Sequence, residues 1–332
     1  MSEDSRGLKA ASPLKMPKDG WVEIFKRVNE ERKNDHCDII AAGMAFYGLL
    51  SIFPSMIAIV SIYGLFADAT EVPRHLQYLD QFLPSGVLDL FAGRLKDLAE
   101  TSNASLSIGF IGSILAALWG STKGTKALIK GMNIAYDEDE TRSFVKLTLL
   151  ALGLSFGLVA AVITALFLIA GLPTLLAGLN IQADLEQQLS LLRWPFLALA
   201  LMAAIAALNR YCPDRDHPRW RWVSVGSVIA TVAWLLLSLA FSVYVENFAS
   251  YNQTYGNLGS VIVLLLWLHF SALIILLGAE LNSELEFQTE IDTTVGPAEP
   301  MGKRGAIKAD QSPRREKRGD RRADTATQRS RG

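Results

Sequence analysis

The sequence predicts an all-α, polytopic membrane protein: six transmembrane helices, external amphipathic helices and disordered cytoplasmic termini. Three observations carry that prediction. Half of the 332 residues are hydrophobic (50%) and 20% are charged, and the two classes are segregated along the chain. Ile39 to Phe66 holds no Asp, Glu, Lys or Arg, and neither does Leu147 to Ala183. Both runs exceed the roughly 20 apolar residues that cross a bilayer. The Lys and Arg residues fall in alternate connections, as they do in a chain that crosses repeatedly.

Residues 1–20 are polar, with Pro13, Pro17 and Gly20, and are predicted to be a disordered N-terminus. Trp21, Ile24, Phe25 and Val28 then follow at helical spacing. They fit an interfacial amphipathic helix over 21–34 anchored by Trp21, or a lead-in that prolongs the first span. Six spans come next, at about 39–66, 105–122, 147–170, 189–208, 223–245 and 258–279. With 21–34 they make a membrane domain over 21–286. Helices fit because they satisfy their own backbone groups in lipid; barrel strands would be shorter and alternating. The first span lies behind a charged segment, unlike a cleavable signal peptide.

The connection after the first span carries Leu76, Leu79, Phe82 and Leu83, then Leu88, Phe91, Leu95 and Leu98, broken at Pro84-Ser85-Gly86. That spacing predicts two short amphipathic helices forming an external lid. From Phe287 the apolar pattern stops, and residues 300–332 hold eleven bases against four acids. Such composition predicts a disordered basic tail over 287–332 that adheres to anionic lipid. Without interleaved aromatic residues for stacking, no nucleic-acid partner is expected.

Orientation comes from the basic residues. The two termini and the second and fourth connections hold 28 Lys and Arg, and the remaining segments hold 4. The heavier side is expected to be cytoplasmic, placing both ends there. Cys37 and Cys212 are too few for a disulfide framework and fall on the reducing side.

Polar residues within or beside the spans are the candidate sites. Gly109, Ser113 and Ala117, with Gly112, Ala116 and Gly120 alongside, predict close helix packing in the second span. Pro54 bends the first span, as a static kink or as a hinge. Lys123, Lys126 and Lys130 project from one side of a helix, either as positive-inside anchors or as contacts for an anionic head group. Arg193 precedes Trp194-Pro195 and either snorkels to the interface or contacts an anion. His269 lies midway along the sixth span, where a polar side chain faces another helix or a cavity. Glu246, Glu280 and Asn282 lie near span ends, where water is expected to solvate them. Tyr255, Gly256 and Gly259 open the sixth span, as a plain hairpin or as an external gate. The sequence has no HExxH, CxxC or GxxxxGK[ST] spacing, so no catalytic residue, metal or cofactor is expected.

Several segments resemble the bacterial YihY/BrkB-like inner-membrane family, historically labelled ribonuclease BN-like. The first span reads AAGMAFYGLLSIFPSMIAIV over 41–60. Arg210-Tyr211-Cys212-Pro213-Asp214 follows later, then Trp222 and Gly226. Tyr255-Gly256-Asn257-Leu258-Gly259-Ser260 leads into LLLWLHFSALIILLGAELNSELE over 264–286. The resemblance covers about residues 20–285 and implies a six-span helical protein. Its labels include a tRNA-processing ribonuclease, a serum-resistance factor and a transporter of lipid or envelope precursor. The expected function is non-enzymatic handling of such a precursor, with membrane lipids, anionic ones among them, as partners. A ribonuclease and a scaffold with cytoplasmic interaction tails are the alternatives.

Overall fold

The computed structural model describes residues 6–66, 103–166, 168, 183–248 and 257–314. Toward the ends of the long helices farthest from both termini, only the backbone is described. Among the described residues the protein is helical, with no strand beyond one isolated bridge between Pro218 and Thr294. The predicted external helices and the residues Tyr255 and Gly256 lie outside the described residues.

Helix α1 spans Lys18–Asn34, and α2 spans Cys37–Phe66. The chain turns between them at His36, which adopts φ 52°. The amphipathic segment is therefore a separate helix and not a prolongation of the first span. It buries Ile24 against Trp222, Leu281 and Leu285, while Val22 and Phe25 stay exposed.

The long helices that follow are α3 (Asn103–Ala135), α4 (Phe144–Leu166), α5 (Ala183–Tyr211), α6 (Trp220–Phe248) and α7 (Asn257–Phe287). A single turn, α8, covers Ile307–Asp310. Among the described residues, four helices carry stretches long and apolar enough to cross a membrane: Phe144–Ala161, Leu191–Tyr211, Trp220–Tyr244 and Val261–Gln288. Within α2, Cys37–Ser51 is a shorter apolar stretch. Pro54 falls inside the α2 backbone helix, beyond the residues whose side chains are described.

Packing is inside-out relative to a water-soluble bundle. Leu149, Phe156, Leu158, Leu192, Leu236 and Leu239 each expose more than 60% of their surface. Asn209, Ser155, Ser227 and Thr231 are buried. An apolar exterior is stable in lipid, where helix association relies on close packing and hydrogen bonds. Helix α7 is central, packing on α1, α2, α3, α5 and α6.

The α6–α7 crossing is the closest such contact. A Cβ placed on Gly226 would lie 2.2 Å from the Gly278 carbonyl oxygen. The Gly226 N–H donates to Asn282 Oδ1 at 2.8 Å, and Asn282 Nδ2 donates to the Val223 carbonyl at 3.2 Å. In α3 the small-residue prediction divides. Gly120 sits 3.0 Å from Ser51 of α2 as measured from an ideal Cβ, whereas none of the described residues lies within 4 Å of one on Gly112.

Both predictions of terminal disorder need correction over the described residues. Residues 6–17 fold onto the bundle, burying Leu8, Ala10 and Met16. Residues 288–314 wrap the same end, burying Thr289, Thr293, Arg304, Lys308 and Ser312. A compositional argument counts net charge, but here the tail's bases meet acids and carbonyls supplied by the bundle. Arg304, for example, donates to the carbonyls of Glu290, Glu299 and Ala309. Ordering costs are offset when buried donors find acceptors.

Candidate functional site

The last turns of α7 read Gly278-Ala279-Glu280-Leu281-Asn282-Ser283-Glu284-Leu285-Glu286. Glu280 and Glu284, four residues apart, share one helix face; Asn282 and Glu286 share another. All four are fully buried, at 1% exposure or less. Glu280 and Asn282 are thus not the water-solvated residues expected from their place near a span end. The reason is the cap, which covers this end of α7 with residues 6–17, α1, the α3–α4 and α5–α6 connections and the tail.

Each acid meets the cap differently. Glu286 pairs with Arg215 at 2.7 Å, both side chains wholly buried, and accepts from Thr293 Oγ1 at 2.6 Å. The Arg215 guanidinium lies 4.9 Å from the centre of the Tyr136 ring. Burial opposes the Arg215 charge, but Glu286 outweighs it and raises the arginine's pKa. Burial and the same carboxylate push the Tyr136 hydroxyl well above its ordinary value.

Glu284 binds two cations, Arg27 of α1 and Lys308 of the tail, the latter at 2.8 Å. Lys308 also reaches Asp137 at 3.0 Å. Burial disfavours its charge, yet Glu284 and Asp137 raise its pKa. Glu280 has no cation. Its Oε1 accepts from Cys37 Sγ at 3.5 Å, and no protein N–H or O–H reaches its Oε2.

The connections are tied to one another as well. Thr141 donates its N–H and hydroxyl to Asp214 at 2.7 and 2.6 Å, and Arg142 donates to the Cys212 carbonyl at 2.8 Å. Burial works against the Asp214 carboxylate, but Thr141 and Arg142 hold its pKa below the ordinary value. Ile307 N–H reaches Glu138 at 2.8 Å, and Glu290 N–H reaches the Leu8 carbonyl at 2.8 Å. The four segments grouped by the charge count therefore meet at one end of the bundle.

The other predicted residues lie apart from this cluster. Lys126 donates to Thr148 at 2.8 Å and stands 4.4 Å from the Phe144 ring centre. Lys123 lies over Trp119 at 6.0 Å, and Lys130 is exposed. At 1.5 Å per residue, this row lies within about 20 Å of the capped end of α3. Arg193, over the Trp194 ring at 5.4 Å, lies roughly 27 Å from the capped end of α5. It does not join the lysines. His269 packs edge-on against Phe270 at 5.3 Å, about 16 Å along α7 from Glu280. Gly259 falls in the first turn of α7.

Asp35, Cys37, Arg215 and Lys308 were not singled out from the sequence. The available signal was three acids within seven residues of an apolar helix, a pattern that demands partners elsewhere. Among the described residues, no group of three or more His, Cys, Asp or Glu side chains is placed to hold a metal ion.

A helical bundle whose described residues place an apolar surface outside and buried charges at one capped end defines an integral-membrane protein. The chain belongs to the virulence factor BrkB family, whose pattern it matches over residues 28–300. It is 32% identical over 253 residues to the ribonuclease-like protein YfkH of Bacillus subtilis, covering 74% of this chain and 88% of that one. It is 26% identical over 271 residues to a UPF0761 membrane protein of Alteromonas mediterranea, covering 79% and 87%. A UPF0761 membrane protein of Vibrio vulnificus is 27% identical over 268 residues, covering 79% and 80%. No solved structure matches the chain.

Proposed function

We propose that this chain is a six-span protein of the cytoplasmic membrane, with both ends cytoplasmic, that moves or handles a lipid or envelope precursor. The observation that carries this reading is the Lys123–Lys126–Lys130 row on α3. It combines half-buried and exposed ammonium groups near the capped end of a bundle whose outer faces are apolar. That is the depth at which an anionic head group meets basic side chains. The 28-to-4 distribution of bases supports the orientation, and the membrane-protein relatives support the setting.

Two measurements test it. Reporter fusions at residues 20, 135, 215 and 310 should report cytoplasm, and those at 85, 180 and 252 the exterior; an exterior signal at 135 or 215 overturns the topology. In proteoliposomes, the purified protein should speed transbilayer exchange of fluorescent phosphatidylglycerol, and K123Q/K126Q/K130Q should slow it several-fold. Exchange no faster than in empty vesicles, for each anionic lipid offered, rejects lipid movement. Cleavage of RNA by nuclease-free protein would put a ribonuclease in its place.

A further inference from the structure

The α5–α6 connection closes one membrane-length stretch and opens the next. The apolar part of α5, Leu191–Tyr211, stops on Tyr211, and that of α6, Trp220–Tyr244, starts on Trp220. Both rings are exposed and stand edge to face, 6.3 Å apart. Tyr and Trp at span ends sit at the head-group level, the ring body toward hydrocarbon and the polar edge toward water. Along α6 from Trp220, the residues Ser224, Val228 and Val232 recur at helical spacing and are exposed. They form a stripe along which an acyl chain can lie.

Arg210 lies against these rings. Its guanidinium is 4.7 Å from the centre of the Trp220 ring and 5.6 Å from that of Tyr211. Its Nη1 donates to the Pro218 carbonyl, and its Nε meets no acceptor among the described residues. Other arginines at the capped end are neutralised: Arg27 by Glu284, Arg142 by Glu140 and Arg215 by Glu286. No described carboxylate pairs with Arg210. The two acids of its connection are placed elsewhere, Asp214 on Thr141 and Asp216 beside Gly305 of the tail. A guanidinium held by two rings and a carbonyl loses little further freedom on binding, and its planar donors match a phosphate.

We propose that the α5–α6 corner binds the head group of an anionic phospholipid. Arg210 donates to its phosphate, Trp220 and Tyr211 flank it, and an acyl chain follows Val228 and Val232. Arg221, exposed at the next position after Trp220, adds the positive charge that favours an anionic head group over a zwitterionic one. The site needs only the membrane setting. It does not rest on lipid movement and uses none of Lys123, Lys126 and Lys130.

The test is native mass spectrometry of the full-length protein in detergent, titrated with phosphatidylglycerol or with phosphatidylcholine of the same acyl chains. Wild type should retain phosphatidylglycerol at concentrations where phosphatidylcholine is lost. Arg210→Gln should weaken that retention several-fold. Trp220→Leu keeps the charge but removes the ring beneath it, and should weaken retention while the thermal unfolding temperature stays close to that of wild type. K123Q/K126Q/K130Q should still retain the lipid, so this corner and the lysine row are read separately. If Arg210→Gln does not fold, Trp220→Leu decides. Equal retention of the two lipids, unchanged retention in Arg210→Gln or Trp220→Leu, or its loss in the lysine variant overturns the proposal. Displacement of the lipid by inorganic phosphate also overturns it, since the corner would then be a site for the free anion.

Discussion

Arg215 and Glu286 show how strongly one residue depends on another when water is removed from both. Each side chain is wholly buried, and Thr293 and Tyr136 complete their surroundings. Truncating one partner leaves the other as an uncompensated buried charge, which costs about 3–5 kcal/mol. Arg215→Ala should therefore lower the thermal unfolding temperature of the purified protein markedly. The double variant R215A/E286Q should recover part of the loss, because no ionised group is then stranded. Equal losses in the single and double variants would show that the pair itself contributes little. From the sequence, Glu286 is visible as an acid in an apolar helix, but its partner lies 71 positions earlier in a connection. Nothing in the spacing links the two.

The helices themselves were far more legible than their contacts. Every predicted span overlaps a long helix, because an uninterrupted apolar run leaves the backbone few other ways to bond. Span bounds are not helix ends: α3 runs past the apolar stretch ending near Thr122 and through Lys123, Lys126 and Lys130, as their spacing predicts, to Ala135. Its lysines add charge without ending the helix, since lysine is a good helix former. Small residues marked packing only partly, since Gly120 meets α2 while Gly112 meets none of the described residues. The tighter contact is Gly226, where any side chain would strike the backbone of α7. Gly226→Ala should separate α6 from α7 at a cost of about 1–3 kcal/mol and weaken the Asn282 hydrogen bonds. Crosslinking between cysteines introduced along the two helices would check it, with unchanged yields contradicting the close crossing.

At the scale of the whole molecule, the four segments grouped by the charge count meet at one end of the bundle, yet the two terminal ones read as disordered. Net charge treats each segment alone, whereas Lys308 and Arg304 are stabilised by groups more than ten positions away, such as Glu284 and the Glu290 carbonyl. Acid should loosen the cap. Despite burial, hydrogen bonds and arginine charges hold Asp214, Glu140 and Asp292 below their ordinary pKa values. A carboxylate with a folded pKa below its unfolded one contributes stability that is present above the unfolded value. That stability is lost as the pH falls through the folded value. Amide exchange in residues 137–143 and 212–216 should therefore accelerate below about pH 4; a flat profile there would contradict these assignments. Cys212 packs against Ile129, Met132, Ala135, Tyr136 and Ala279, and burial pushes its thiol up to about 12. Maleimide labelling of Cys212 should therefore be slow in the folded protein and many-fold faster once it is unfolded, with Cys37→Ser as the background; equal rates would contradict this packing.

Lys308 also imposes an order of events on synthesis. Helix α7 can enter the membrane as soon as it leaves the ribosome, but the ammonium that Glu284 needs is translated 24 residues later. Until then Glu284 has Arg27 as its cation, and the place that Lys308 takes beside it stands open. A chain ending before Lys308 would thus carry all of its long helices but leave one end of α7 incompletely covered. Completion of the tail, and not formation of the last long helix, closes this end of the molecule.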